Sequence, residues 1–184
     1  MKTLLKALSL CALIAAQPAL AQTLEGDKNV EVSFNVIGGD TQSSFRVLEQ
    51  PNFGQLVRPR LSEEFEEAFC TYFLDNTGET SAQGFADPKL GLGLAAVDDI
   101  ECAFLSSAVP QKLEIECPLG QSVFVNGSVE RDGILARIRK KNVDGDVCTT
   151  EAFEPSTVIE VSVFPDAVLG VSQLTIPVDI TLSD

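Results

Sequence analysis

"GVSQLTIPVDITLSD", Gly170 to Asp184, closes the chain, and its reading decides the fold. From Leu174 the residues alternate, with Leu174, Ile176, Val178, Ile180 and Leu182 on one side and Thr175, Pro177, Asp179 and Thr181 on the other. A period of two is the mark of a strand with one buried face. Covering such an aliphatic row stabilises the chain by several kcal/mol at roughly 25 cal/mol per Å², so a second layer is expected above it. Pro177 has no amide proton to give to a ladder. That predicts an edge strand, or a strand with one weak ladder.

The same period recurs upstream. Val30, Val32, Phe34 and Val36 alternate with Glu31, Ser33 and Asn35 before Gly38-Gly39-Asp40. Further rows are Ile100, Cys102 and Phe104; Leu113, Ile115 and Cys117; Ile134, Ala136 and Ile138; and Ile159, Val161 and Val163. Asn126-Gly127, Asp132-Gly133 and Asp144-Gly145 supply residues that tolerate positive φ and read as hairpin turns. In "RLSEEFEEAFCTYF" Ser62 can cap a helix, and Leu61, Phe65, Ala68, Phe69 and Tyr72 follow helical spacing, although Ala68, Cys70 and Tyr72 also form one face of a strand. The expected fold is all-β, an antiparallel immunoglobulin-like sandwich with one short helix.

The first residues read as a secretory signal peptide, residues 1–21: Lys2 and Lys6, an apolar run from Ala7 to Ala16, then Ala19-Leu20-Ala21 before Gln22. The apolar run falls short of the roughly 20 residues that span a bilayer, so no membrane span is expected after cleavage, and residues 22–184 form a single domain. Removing Lys2 and Lys6 from 13 basic residues leaves 11 against 27 acidic ones, a net of −16. Such a charge repels nucleic acid and anionic lipid. Five cysteines less Cys11 leave Cys70, Cys102, Cys117 and Cys148, an even number in an exported chain, and so disulfides. Proximity in sequence favours Cys70 with Cys102 and Cys117 with Cys148, although sequence alone does not choose the pairing. The compartment follows: secreted, periplasmic or at the cell surface.

The count of histidines is zero. That removes Ser-His-Asp and Cys-His catalysis and the common histidine-bearing zinc sites. Acidic clusters at Glu63, Glu64, Glu66 and Glu67 and at Asp98, Asp99 and Glu101 read as solvated surface rather than as a glycosidase pair. No catalytic residue, metal ligand or cofactor is assigned. Asn142, Asp144 and Asp146 have the alternation of calcium ligands, but Asp144-Gly145 is first a hairpin turn. "LGLGLAA", Leu90 to Ala96, lacks the βαβ setting of a dinucleotide site, and Asn126-Gly127-Ser128 matches a glycosylation sequon. Arg131, Arg137, Arg139, Lys140 and Lys141 gather basic charge, and Arg137 and Arg139 share one strand face. They either dock an acidic partner or pair within the molecule.

The export signal, the alternating strand Val30 to Val36, Asn52-Phe53-Gly54-Gln55-Leu56 and the alternating last strand together resemble the pilin-like β-sandwiches of bacterial surfaces, of the spore-coat-U and archaic chaperone-usher type. The resemblance implies a sandwich completed by the amino-terminal segment of the next subunit. Val30, Val32, Phe34 and Val36 are thus expected partner-binding residues, and the basic ridge separately adds Arg137 and Arg139. The function implied is that of an exported structural or cell-surface protein that associates through an edge strand, the alternative being a monomeric binding or inhibitor module.

Overall fold

Alternation of apolar and polar residues commits most of this chain to strands, and the two long terminal ones organise the rest. The structure, a computed structural model, describes residues 27–38, 44–59, 65–88, 95–97, 100–141, 146–150 and 152–183. The signal peptide, Ser62, Leu90, Asn142 and Asp144 lie outside them.

Strand β1 (Asp27–Gly38) runs parallel to β13 (Gly170–Ser183), with Val30 opposite Ser172, Val32 opposite Leu174, Phe34 opposite Ile176 and Asn35 opposite Pro177. On its other side β1 pairs antiparallel with β3 (Asn52–Val57). The second half of β13 pairs antiparallel with β8 (Ser122–Arg131), from Val178 opposite Gly127 to Ser183 opposite Ser122. The large sheet continues through β9 (Ile134–Lys140), β12 (Thr157–Val163), β4 (Phe65–Asp75), β5 (Thr80–Pro88) and β6 (Ala95–Val97). A smaller sheet joins β2 (Ser44–Glu49), β7 (Lys112–Glu116) and β11 (Ala152–Phe153), and the short β10 (Asp146–Val147) pairs with β8.

Four expectations are corrected. The last strand is not an edge along its whole length, since β13 has β1 on one side and, from Val178 onward, β8 on the other; of the two expectations for Pro177 the shortened ladder is the one observed. The sandwich is not purely antiparallel, because β1 and β13 run the same way: a period of two fixes which face is buried but not which direction a neighbour takes. The helical spacing of Phe65, Ala68, Phe69 and Tyr72 gives way to strand β4, because β5 and β12 ladder it on both sides and its row Ala68, Cys70, Tyr72 and Leu74 is buried. Asn126-Gly127 is not a turn but the middle of β8. The glycine is needed there because a Cβ would strike the Pro177 carbonyl oxygen and come within 2.8 Å of Ile176 Cγ2. Asp132-Gly133 does make the expected hairpin turn, with φ of 52° and 72°.

The buried core joins Val30 and Val32 of β1, Phe53 and Leu56 of β3, Tyr72 and Leu74 of β4, Leu113 and Ile115 of β7, and the inward rows of β8, β9, β12 and β13. Residues 100–104, expected as a strand, instead belong to an irregular segment beside β3, held by isolated bridges between Leu56 and Phe104 and, further along, between Asn52 and Val109. Tyr72 crosses this interior: its hydroxyl donates to the Val57 carbonyl and its ring meets Phe104 edge-on, centroids 5.3 Å apart. Burial pushes that hydroxyl's pKa up, so it stays a donor. The disulfides are Cys70–Cys102 and Cys117–Cys148, with Cα atoms 5.6 Å and 6.2 Å apart. The first fastens β4 to the irregular segment and the second fastens the end of β7 to the end of β10.

Candidate functional site

The expected partner-binding row lies inside this chain's own sheet. The side chains of Val30 and Val32 are 0% and 2% exposed, so both complete the core. Phe34 and Val36 continue the same ladder, opposite Ile176 and Val178. On the solvent face Ser33 Oγ lies 2.9 Å from Thr175 Oγ1, and Gln173 Nε2 donates to Glu31 Oε2 at 3.0 Å. These cross-strand contacts fix the register from outside, as the valines fix it from within. Polar residues at 31, 33, 173 and 175 gave no hint of their partners in sequence, since the parallel pairing joins residues about as far apart as the chain allows.

The ladder between β1 and β3 slips between Val30 and Glu31, and the Val32 amide reaches the Pro51 carbonyl at 3.3 Å instead. The outer edge of β3 is itself covered. Asn52 and Val109 exchange backbone hydrogen bonds of 3.0 Å and 2.7 Å, and Leu105 donates to the Gln55 carbonyl at 2.7 Å. What would have been a free edge is therefore blunted by residues 103–109.

The basic ridge is largely consumed internally. Arg137 and Arg139 do share the exposed face of β9. Arg139 pairs with Glu160 of the neighbouring β12, Arg131 Nε lies 3.2 Å from Asp132 Oδ2, and Lys140 Nζ sits 4.4 Å from the Phe124 ring centroid. Lys141 Nζ lies 2.6 Å from Asp75 Oδ2 and 3.8 Å from Glu79 Oε2. Arg137 makes no ion pair among the described residues. The two expected interface groups, the β1 row and the arginines, are not brought together, since β13 and β8 stand between them.

Among the described residues Asp75 is the most strongly perturbed carboxylate. Its Oδ1 accepts from the Thr77 amide at 2.9 Å, the Thr77 hydroxyl at 2.7 Å and the Glu79 amide at 2.8 Å, while Oδ2 takes Lys141. Burial would raise its pKa, but the bonds from Lys141, Thr77 and Glu79 outweigh burial and hold it at about 2. The same pairing raises the Lys141 pKa. Both groups are thus charged at neutral pH, and the pair fastens the β4–β5 turn to the end of β9. Neither is poised to give or take a proton. Glu67 and Glu101 are exposed, and among the described residues no group of three histidine, cysteine, aspartate or glutamate side chains is placed to hold a metal ion.

Sequence reasoning gave no signal for one further surface. Val168, Leu169 and Val171, at the start of β13, are exposed apolar side chains. Among the described residues no helix is long and apolar enough to cross a membrane. The chain matches no family model, no curated protein and no solved structure, so the meaning of its surfaces rests on their own geometry.

Proposed function

We propose that this chain is an exported structural or cell-surface protein with an immunoglobulin-like, pilin-like build, and that copies associate by exchanging the amino-terminal strand β1. One observation carries the reading. The first described strand is inserted between β13 and β3, with a ladder on each side and Val30 and Val32 in the core. A slot of this kind is filled equally well by β1 of the same chain or of a neighbour, since the contacts are identical and only the connection differs. That connection, residues 39–43, reaches at most about 20 Å when extended, so exchange requires the two copies to adjoin closely. The two disulfides suit a compartment where thiols oxidise. Polymer growth and a closed exchanged dimer both follow from the same exchange.

Ser33 and Thr175 provide the test, because their hydroxyls already touch across the ladder. In the S33C/T175C double variant, oxidation at high protein concentration is expected to give covalent multimers on a non-reducing gel, and deletion of residues 27–36 to abolish them. Crosslinks confined to single chains at every concentration, with the intact protein sedimenting as a monomer, refute exchange. That result favours the other reading, a monomeric secreted or periplasmic binding module completed by its own β1. The seating of β1 in its own chain is the observation on that side.

A further inference from the structure

The two ladders of β13 do not overlap along its whole length. Pairing with β1 spans Gly170 to Asp179, whereas pairing with β8 begins only at Val178. In a strand the N–H and C=O of one residue point to the same side, and successive residues alternate. Two contacts fix which is which. The Pro177 carbonyl oxygen crowds Gly127 of β8, and the Leu174 carbonyl accepts from Ser33 of β1 at 3.3 Å. Even-numbered residues therefore turn their backbone groups to β1, and odd-numbered ones turn theirs away from it. At Val171, Gln173 and Thr175 those outward groups have no ladder partner among the described residues. Their side chains are exposed as well, Val171 by 65%.

We propose that this edge of β13 pairs antiparallel with the same edge of a second copy, about a two-fold axis at Gln173. Gln173 then faces Gln173 of the other copy and Val171 faces Thr175, giving about six hydrogen bonds between chains. Charge favours a second copy as the occupant. A chain of net charge −14 repels its own copies, yet residues 167–178 carry no charged side chain. Two-fold pairing about Gln173 sets Asp179 against Ala167 and Asp166 against Ile180, so no acidic groups meet. At the rim Arg131 and Asp132 neutralise each other. The exposed Val168 and Leu169 beside the edge add apolar area on contact. Among the described residues, the charges, bulges and coverings by which monomers blunt a strand edge are missing from Val171 to Thr175, between the Asp132 carbonyl, which accepts from the Val168 amide at 3.4 Å at the near end, and Pro177 at the far end. The inference is independent of β1 exchange, because it uses the opposite side of β13.

Sedimentation velocity over a wide concentration range tests it. The chain is expected to show a reversible dimer. Q173P removes one outward amide while leaving the β1 ladder in place, as Pro177 already does, and should weaken the dimer at least tenfold. V171K, which keeps every amide and places like charges on the edge, should weaken it similarly, with far-ultraviolet circular dichroism confirming that both variants are folded. Q173C should oxidise to a covalent dimer across the axis. A monomer at every concentration overturns the proposal. So does a dimer indifferent to Q173P and V171K, and if that dimer is lost on removing residues 27–36, exchange of β1 stands while this edge does not.

Discussion

Truncating Val32 to alanine tests whether β1 is structurally integral or merely laid against the sheet. The side chain is 2% exposed and faces the interior shared with Leu174 and Phe53. Two buried methyl groups are lost, worth about 0.8 kcal/mol each in transfer. The space they leave, roughly 50 Å³ if nothing relaxes, adds about 1 kcal/mol at ~24 cal/mol per Å³. The expected loss is therefore about 2–3 kcal/mol, a large share of the roughly 5–15 kcal/mol that holds a domain folded. Urea denaturation followed by circular dichroism, with the disulfides intact, should show the midpoint falling by about 1–2 M for a slope of roughly 1.5–2 kcal/mol/M. Val171→Ala, on the exposed edge of β13, should stay within about 0.5 kcal/mol of the parent. A Val32→Ala midpoint indistinguishable from that of Val171→Ala would mean that β1 is not part of the cooperative core, and exchange of β1 would lose its basis.

Acid should loosen the β4–β5 turn. Because the folded pKa of Asp75 is depressed from 3.8 to about 2, its contribution is present above pH 4 and is lost as the pH falls from about 4 to 2. It amounts to about 1–2 kcal/mol after allowance for solvent screening. Asp75→Asn should flatten that part of the stability-versus-pH curve measured by urea titration. Gly127→Ala should lower the thermal midpoint by several degrees, because overpacking against Pro177 and Ile176 costs about 1–3 kcal/mol, more than a strand gains from alanine. Replacing both Cys70 and Cys102 by alanine opens a loop with a sequence separation of 32. By loop entropy that should cost about 3–4 kcal/mol, read as a drop in the urea midpoint.

Faces were legible in the sequence, and partners were not. The rows at Leu174 to Ile180, Ile134 to Ile138 and Ile159 to Val163 are buried as their alternation requires, with Leu182 partly buried at the end of the first, because burial of one face is a local property of the strand. Pairing of Cys70 with Cys102 was also within reach, since closing a short loop costs little entropy. By contrast the parallel partnership of β1 and β13 joins the two ends of the chain, and no local pattern specifies it. The segment from Phe65 to Tyr72 satisfies helical and strand spacing together, and only the ladders offered by β5 and β12 decide between them. Asn126-Gly127 carries the composition of a turn for another reason: the glycine makes room for the Pro177 carbonyl. The ridge at Arg137 and Arg139 was visible as charge, but the pairing of Arg139 with Glu160 depended on which strand became the neighbour of β9.

Pro177 is where these strands of reasoning meet. Its missing amide falls on the β8 side, where the carbonyl of the same residue meets Gly127, so the loss interrupts the β8 ladder and leaves the β1 ladder whole. A residue with an amide there would lengthen the β8 pairing back toward Thr175 and close the outward edge. Proline instead divides β13 into one half committed to β8 and another committed to β1 with a free side. The residue that sequence alone marks as an edge signal is therefore an edge signal for half a strand. Converting it to valine, which restores the donor and suits a strand, should extend the β8 ladder and reduce association through residues 171–175, whereas exchange of β1 should be unaffected. Hydrogen exchange at Thr175 and at position 177 in the P177V variant reads the first effect directly: slow exchange marks a closed edge, and exchange as fast as in an open strand would show that β8 diverges for reasons other than the proline.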